Sequence, residues 1–227
     1  MMQIRFQRAS LLAVAAVLCA VGAAYLHSAT AANLPDPKVD ESPSAAKGSE
    51  TVVFAGGCFW GIQAVFEHVK GVAKATAGYS GGTAKNPDYE EVSSGATGHA
   101  ESVEVVYDPS RVTFGQLLKI FFSVAHDPTQ LNRQGPDFGT QYRSAIFYES
   151  PDQQRIAKAY LEQLTQAKAF SHPIVTQIVA YRAFYRAEDY HQDYALHNPD
   201  NPYIMFNDAP KVANLKKQFP DLYVSNR

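Results

Sequence analysis

Residues 51–67 change from one periodicity to another within a few positions, and this change constrains the fold more than any other feature of the chain. Residues 51–55 are a short apolar run, which predicts a buried strand. Apolar residues then recur at helical spacing, at Ile62, Val65, Phe66 and Val69. Gly56 and Gly57 separate the two patterns. The sequence therefore predicts a sharp strand-to-helix turn, with Cys58 opening the helix.

Cys58 is predicted to lie where a negative charge is favoured. The free N–H groups and the positive dipole end at a helix start are expected to shift a thiol toward thiolate, and the flanking glycines to leave the sulfur uncovered. Phe59 and Trp60 follow directly, and we interpret them as an apolar wall beside a nucleophile. The alternatives are core packing for the aromatic pair and an inert buried thiol for Cys58.

The N-terminal residues 1–31 have the pattern of a signal peptide. Arg5 and Arg8 precede an apolar segment over residues 11–25, and Ala29, Thr30 and Ala31 resemble a cleavage site. We expect cleavage before Ala32 and export to a bacterial periplasm, the alternative being an uncleaved membrane anchor. No later stretch approaches the roughly 20 apolar residues of a membrane span.

The remaining chain is predicted to be a linker followed by one domain. Residues 32–49 are rich in Pro, Ser, Ala and charge, which predicts a disordered linker, and residues 50–227 are expected to form a single domain. Loss of residues 1–31 and their two arginines changes the net charge from −2 to −4, and no basic block favours nucleic acid binding. Loss of Cys19 leaves one cysteine, so no intramolecular disulfide is expected.

Strand and helix patterns alternate along the predicted domain. Further strands are predicted at residues 72–79, 99–107, 142–149 and 174–180, and helices after Thr113, from Pro151, within 184–194 and at 211–219. This order predicts an α+β domain in which helices pack on a mixed or antiparallel sheet, as a two-layer sandwich.

The strand over residues 99–107 carries an informative carboxyl group. Glu101 shares one face of the strand with Val103, Val105 and Tyr107. If that face points inward, burial raises the pKa of Glu101 and keeps it protonated near neutral pH. The alternative is that Glu101 reaches solvent from the strand end, because an unpaired buried carboxylate is costly.

Known cofactor motifs are missing from the sequence. It contains no CxxC, HExxH or phosphate-binding glycine pattern, so neither a metal nor a nucleotide is expected.

Three functions then stay open on the residues alone. Cys58 could transfer acyl groups with His99 as its base, or attack an electrophilic sulfur or peroxide and become a sulfenic acid. The third function is an exported binding module with an aromatic groove.

A series of short motifs resembles one enzyme family. The motif GCFWG at residues 57–61 is similar to the active-site sequence of the A-type peptide methionine sulfoxide reductases. Further matches follow in family order: GYSGG (78–82), NPDY (86–89), GHAE (98–101), HDP (126–128), RQG (133–135), GTQYRS (139–144) and AED (187–189). The resemblance spans about residues 51–203 and implies an α+β enzyme that reduces the S epimer of methionine sulfoxide, free or in proteins and peptides.

The resemblance also implies the roles of the site residues. Cys58 is the nucleophile, and Glu101 is the acid that protonates or hydrogen-bonds the sulfoxide oxygen. Tyr89 and Tyr142 hold the same oxygen, and Asp137 helps to organise the site.

By the same resemblance, Phe59 and Trp60 form an apolar box for the S-methyl group. No bound cofactor is implied; the electrons come from an external thiol such as thioredoxin, a glutaredoxin or glutathione.

Many family members carry resolving cysteines near the C-terminus, whereas residues 198–227 contain none. We therefore expect a one-cysteine enzyme, in which the usual direct relay to thioredoxin is in doubt.

Overall fold

The strand that leads to Cys58 is an inner strand of a six-stranded sheet. In chain order the strands are β1 (Glu50–Gly56), β2 (Val72–Ser80), β3 (Ala100–Tyr107), β4 (Arg133–Gln134), β5 (Asp137–Phe138), β6 (Ser144–Tyr148), β7 (Gln177–Ala180) and β8 (Phe184–Arg186). The large sheet has the order β7–β6–β1–β3–β2–β8; β6 and β7 are parallel and the other pairs antiparallel, and β4 pairs with β5 separately. The predicted mixed sheet is confirmed.

The structure, a computed structural model, describes residues 34–41 and 48–225, which lie within the compact unit Ala31–Arg227. The predicted signal peptide and Cys19 lie outside the described residues. Among the residues described, no helix is both long and apolar enough to cross a membrane.

Six α-helices within the described residues complete the α+β domain. They are α1 (Phe59–Glu67), α2 (Tyr89–Ser93), α3 (Phe114–Ile120), α4 (Pro151–Gln166), α5 (Tyr194–His197) and α6 (Ala209–Gln218). Single π-helical turns extend α3 (Phe121–Ala125) and precede α6 (Ile204–Asp208), and 3₁₀ turns cover Thr140–Tyr142 and Asp189–His191. The predicted fold class is therefore confirmed.

Aromatic packing fixes α1 on the sheet. Phe54 of β1 is fully buried between the rings of Phe66 and Phe121, at centroid distances of 5.0 and 4.7 Å. Burying a side chain of this size contributes about 1.5–3 kcal/mol, and the stacked contacts add to it. This packing holds the start of α1, and with it Cys58, at the carboxyl end of β1.

Several boundaries differ from the predictions, and two of these differences replace one type of element with another. Residues 184–186 form the edge strand β8 instead of the start of a helix, because their backbone pairs with residues 78–80 of β2. The strand predicted from Tyr142 begins at Ser144, and Tyr142 itself ends a 3₁₀ turn. In both places long-range pairing and turn geometry override the local pattern.

Residues 34–41, which we call the N-terminal strap, pack on the domain, although composition predicts a disordered linker there. Leu34 is 3% exposed and belongs to the core. The Tyr160 hydroxyl of α4 donates to the Pro35 carbonyl at 3.0 Å, and Lys119 of α3 lies 2.8 Å from Asp36. The linker prediction is wrong for these residues; residues 32–33 and 42–47 lie outside the described part of the chain.

The end of the strap completes the N-terminus of α3. Asp40 accepts hydrogen bonds from the Thr113 hydroxyl and the Gly115 N–H, and Glu41 accepts from the Phe114 N–H. Composition predicts disorder here because the two carboxylates make the segment polar. In the folded chain the same carboxylates accept hydrogen bonds from the free N–H groups at the start of a helix.

Candidate active site

The turn between β1 and α1 places Cys58 at the helix N-terminus, as predicted. Gly57 has φ = +100°, a conformation that favours glycine, and a Cβ atom there would lie 2.5 Å from the Gln134 side chain. Cys58 is the N-cap residue and makes no side-chain capping bond. Its exposure is only 8%, so the sulfur is less open than the glycines suggest.

Glu101 points inward from β3 and contacts the first residue of α1. Its side chain is 2% exposed, and its Oε2 accepts a hydrogen bond from the Phe59 N–H at 3.0 Å. Burial raises the pKa of Glu101 to about 8, against the lowering effect of the Phe59 bond, and the charges of Asp137 and Asp208 raise it further. Of the two orientations considered, the inward one is confirmed. The carboxyl group is largely protonated at neutral pH.

The thiol of Cys58 shows the opposite pKa shift from the one predicted. Burial raises its pKa well above the ordinary value, and the charge that Glu101 carries once ionised, above a pH of about 8, and the charge of Asp208 raise it further. The Trp60 N–H and the Lys211 ammonium group lower it, but by less. The prediction considered only the helix N-terminus, which lowers the pKa of a thiol. Desolvation and neighbouring negative charges raise the pKa by more, so the resting thiol keeps its proton.

Tyr89, at the start of α2, and Tyr142, at the end of a 3₁₀ turn, both interact with Glu101 and Cys58. Burial raises the pKa of Tyr89 to about 12, and burial also raises that of Tyr142; Glu101 and Cys58 contribute to both shifts. The Gln141 side chain donates to the Ser93 carbonyl at 2.8 Å and connects these two elements. Within the described residues neither phenol has a hydrogen-bond partner, so both hydroxyls are free to donate.

Asp137 belongs to the same cluster and is fixed by a tyrosine from the C-terminal segment. The Tyr203 hydroxyl donates to Asp137 Oδ2 at 2.5 Å. The charge of Asp137 acts on Glu101, and both Cys58 and Asp137 act on Tyr203. The structure therefore brings together all five predicted catalytic side chains.

The two aromatic residues after Cys58 differ in their surroundings. Phe59 is 1% exposed and packs against Tyr79 and His191, with centroids 5.9 and 4.9 Å away. Trp60 is partly exposed, stacks on Tyr194 at 3.8 Å and donates from Nε1 to His191 Nδ1 at 3.2 Å. Trp60 is thus a fixed, accessible aromatic face, and Phe59 supports it from the core.

His99, the base predicted for acyl transfer by Cys58, is occupied by other groups, and two further buried histidines of the described residues also make hydrogen bonds. His99 accepts from the Gly82 N–H and donates to the Ala84 carbonyl, so both of its ring nitrogens are engaged by backbone. His126 is similarly engaged, by the Phe121 carbonyl and the Ser144 hydroxyl. His191 holds the Trp60 indole. The acyl-transfer hypothesis therefore lacks its predicted base.

Four residues of the C-terminal segment contribute to this site, although no sequence pattern identifies them. They are His191, Tyr203, Asp208 and Lys211. The periodic pattern at residues 211–219 predicts a helix but carries no information on which distant residues it meets. The contact from Tyr203 to Asp137 spans 66 positions in the chain.

Comparison with known proteins agrees with the geometry. The family described as "Peptide methionine sulfoxide reductase" matches residues 50–223. A "Peptide methionine sulfoxide reductase MsrA 2" from Mesorhizobium japonicum is 63% identical over 179 residues, covering 79% of this chain and 92% of the relative. The protein of the same name from Synechocystis is 54% identical over 190 residues, covering 83% and 89%.

Solved structures give the same result. Reduced Mxr1 from Saccharomyces cerevisiae has a TM-score of 0.62 at 33% identity, covering 72% of this chain and 92% of that one. Methionine sulfoxide reductase A of Corynebacterium diphtheriae has a TM-score of 0.58 at 37% identity, covering 77% and 91%. The chain therefore belongs to the A-type peptide methionine sulfoxide reductases, and its activity is that of a peptide-methionine (S)-S-oxide reductase.

Proposed function

We propose that Cys58 reduces the sulfoxide directly and becomes a sulfenic acid. The observation that carries this proposal is the pairing of a buried thiol with a buried carboxyl group whose pKa is about 8, joined through the Phe59 N–H. A sulfoxide sulfur becomes a good electrophile only when its oxygen gains proton density. A neutral acid beside the nucleophile supplies this proton.

The step conserves protons and electrons within the site. Glu101 gives its proton to the sulfoxide oxygen and recovers one from the Cys58 thiol as the sulfur attacks. The cysteine sulfur bonds to the methionine sulfur as the protonated oxygen leaves it. That oxygen then bonds to the cysteine sulfur while the new S–S bond breaks and releases the thioether. The net reaction converts thiol and sulfoxide to sulfenic acid and thioether, so the cysteine sulfur loses two electrons and the methionine sulfur gains them. The raised thiol pKa is tolerated because the proton acceptor is adjacent.

The other site residues hold the substrate in this arrangement. The free hydroxyls of Tyr89 and Tyr142 donate to the sulfoxide oxygen, where negative charge develops, and Asp137 organises the site through its bond with Tyr203. Trp60, supported by Phe59, receives the S-methyl group on its face. An aromatic wall orients a methyl group without offering a competing hydrogen bond.

Regeneration requires a thiol from outside the chain. Cys58 is the free cysteine of the described residues, and the sequence contains no cysteine after it. An external thiol condenses with the sulfenic acid to form a mixed disulfide and water, and a second thiol releases Cys58 and leaves as a disulfide. A thioredoxin, a glutaredoxin or glutathione fits this chemistry.

We further propose that the enzyme repairs oxidised proteins after export. The signal-peptide pattern of residues 1–31 supports export to a periplasm. N-terminal sequencing of protein from its native host tests this: a chain beginning at Ala32 is expected, and a chain beginning at Met1 in the cytoplasm contradicts it.

A matched pair of cysteine variants tests the proposed nucleophile. Full-length Cys58→Ser is expected to lose reduction of methionine-S-sulfoxide with dithiothreitol, whereas Cys19→Ser keeps the wild-type rate. The R epimer serves as a substrate control. Activity of Cys58→Ser close to wild type would refute the mechanism.

A further inference from the structure

We propose that the ion pair Asp208–Lys211 is a positioning pair of the catalytic centre, in which Lys211 stabilises the Cys58 thiolate during attack and Asp208 holds Lys211 in place. The inference rests on the proposed role of Cys58 as the nucleophile. Neither residue is required to touch the substrate, because both act through the cysteine.

The pair lies against the first turn of α1. Lys211 Nζ is 3.0 Å from Asp208 Oδ1; the Asp208 side chain is completely buried and that of Lys211 is 17% exposed. A Cβ atom at Gly61 would overlap Asp208 Oδ1 and would lie 2.6 Å from Lys211 Nζ. Both head groups therefore touch the helix backbone at Gly61. Gly61 follows Cys58 by three positions, which places the pair on the side of the helix that Cys58 opens.

The charges around Cys58 leave Lys211 with a distinct role. Carboxyl groups approach from β3 (Glu101), β5 (Asp137) and the turn before α6 (Asp208), and phenols come from Tyr89, Tyr142 and Tyr203. Two nearby histidines stay neutral, since burial lowers the pKa of His126 to about 4 and also lowers that of His191. Lys211 carries a positive charge that favours the ionised form of Cys58.

The pair is poorly suited to a purely stabilising role. Taking both charges out of water costs several kcal/mol, which is repaid only when the remaining polar atoms are also satisfied. Asp208 Oδ2 is buried and, among the described residues, has no hydrogen-bond partner. A buried and incompletely satisfied ion pair beside a nucleophile is the arrangement expected where stability is given up for electrostatic function.

The test measures alkylation of Cys58 by iodoacetamide between pH 6 and 10, with the label on the Cys58 peptide quantified by mass. In the full-length protein, Lys211→Met is expected to slow alkylation at pH 8 about tenfold, equivalent to one pKa unit. Asp208→Asn keeps an acceptor for Lys211 but removes the anion, so alkylation is expected to become faster. Lys211→Arg should stay near the wild-type rate, and so should Lys217→Met, which removes an exposed lysine from the same helix.

Opposite shifts in Lys211→Met and Asp208→Asn support the inference, because a packing defect would change reactivity in one direction for both. Unchanged rates, or changes of the same sign, overturn it. If Lys211→Met fails to fold, Asp208→Asn and Lys211→Arg decide the question. Single-turnover reduction by the wild type is measured in parallel: alkylation without methionine formation would refute the proposed function, whatever the variants show.

Discussion

Two helix N-termini in this protein have the same plan and different uses. Helices α1 and α3 both begin with a phenylalanine whose N–H donates to a glutamate from a distant segment. Phe59 donates to Glu101 at 3.0 Å, and Phe114 donates to Glu41 at 2.6 Å. In both cases burial is the main cause of a raised carboxyl pKa, about 8 for Glu101 and about 7 for Glu41.

The difference lies at the N-cap position. Thr113 caps α3 in a reciprocal pair with Gln116, and Asp40 covers the next N–H and the threonine hydroxyl. In α1 the N-cap is Cys58, which makes no side-chain capping bond, and the Trp60 N–H instead lowers the pKa of the thiol. At the start of α3, carboxylates and the threonine cap accept the helix N–H groups, and this arrangement is structural. At the start of α1 a thiol occupies the N-cap position and can react. The missing side-chain capping bond costs about 1 kcal/mol of helix stability.

Replacement of Glu101 at the start of α1 should have the largest effect on catalysis. Glu101→Gln keeps an acceptor for the Phe59 N–H but removes the transferable proton. The single-turnover rate should fall by about 10²–10⁴-fold, while Cys58 alkylation persists. The matched control is Glu41→Gln, the corresponding glutamate of α3, which should reduce sulfoxide at the wild-type rate. Equal losses in both variants would mean that Glu101 acts only through folding.

The pH dependence of the same variant sharpens this prediction. A pKa raised to about 8 means that Glu101 keeps its proton below that pH and loses it above. The ratio of wild-type to Glu101→Gln single-turnover rates should therefore be large at pH 6–7 and decline as the pH rises through about 8. Because the charge of Glu101 raises the pKa of Cys58, the alkylation profile of each protein is used to correct the ratio for thiol ionisation. A ratio that is constant from pH 6 to 9 would contradict proton donation by Glu101.

A smaller effect, on stability alone, is expected at α3. Asp40→Ala removes the acceptor for the Thr113 hydroxyl and the Gly115 N–H, so the free energy of unfolding in urea should fall by about 1–2 kcal/mol. The single-turnover rate should not change. Asp36→Ala is the control: this side chain is 89% exposed, so its ion pair with Lys119 contributes at most about 1 kcal/mol. Equal losses in the two variants would remove the special role of the cap.

The starts of α1 and α3 also show which features of the site and the fold can be predicted from the sequence. The change from strand to helix periodicity predicts the position of Cys58, and the alternation in β3 predicts that Glu101 shares the apolar face. Both depend on neighbours within a few residues. The strap was missed because its function depends on where Asp40 and Glu41 meet α3, 73 or more positions later.

The direction of the thiol pKa shift was wrong for a related reason. A helix N-terminus is visible in the sequence, whereas the burial of Cys58 and its carboxylate neighbours depends on the folded chain. Asp208 lies 150 positions after Cys58, and no local pattern connects them. Long-range electrostatics therefore limits what the sequence can predict about the site, even where the predicted side chains come together.

The smallest predicted effect concerns Glu41. Its folded-state pKa of about 7 lies above the ordinary value of 4.5, so its contribution to stability is complete below pH 4.5 and is lost as the pH rises through about 7. Wild-type protein should therefore lose slightly more stability between pH 6 and 8 than Glu41→Gln does. Urea midpoints at the two pH values measure the difference. Identical pH dependence in both proteins would show that Glu41 does not titrate in this range.

The most direct test of the proposed sulfenic acid mechanism is one turnover without reductant. Reduced full-length protein is mixed with excess methionine-S-sulfoxide, methionine is quantified, and the mass of the Cys58 peptide is determined. A sulfenic acid mechanism predicts about one methionine per chain and the gain of one oxygen at Cys58. Methionine accompanied by the loss of two hydrogens and no added oxygen would reveal a disulfide partner and contradict the one-cysteine mechanism. No methionine at all would contradict the assignment of Cys58 as the reductant.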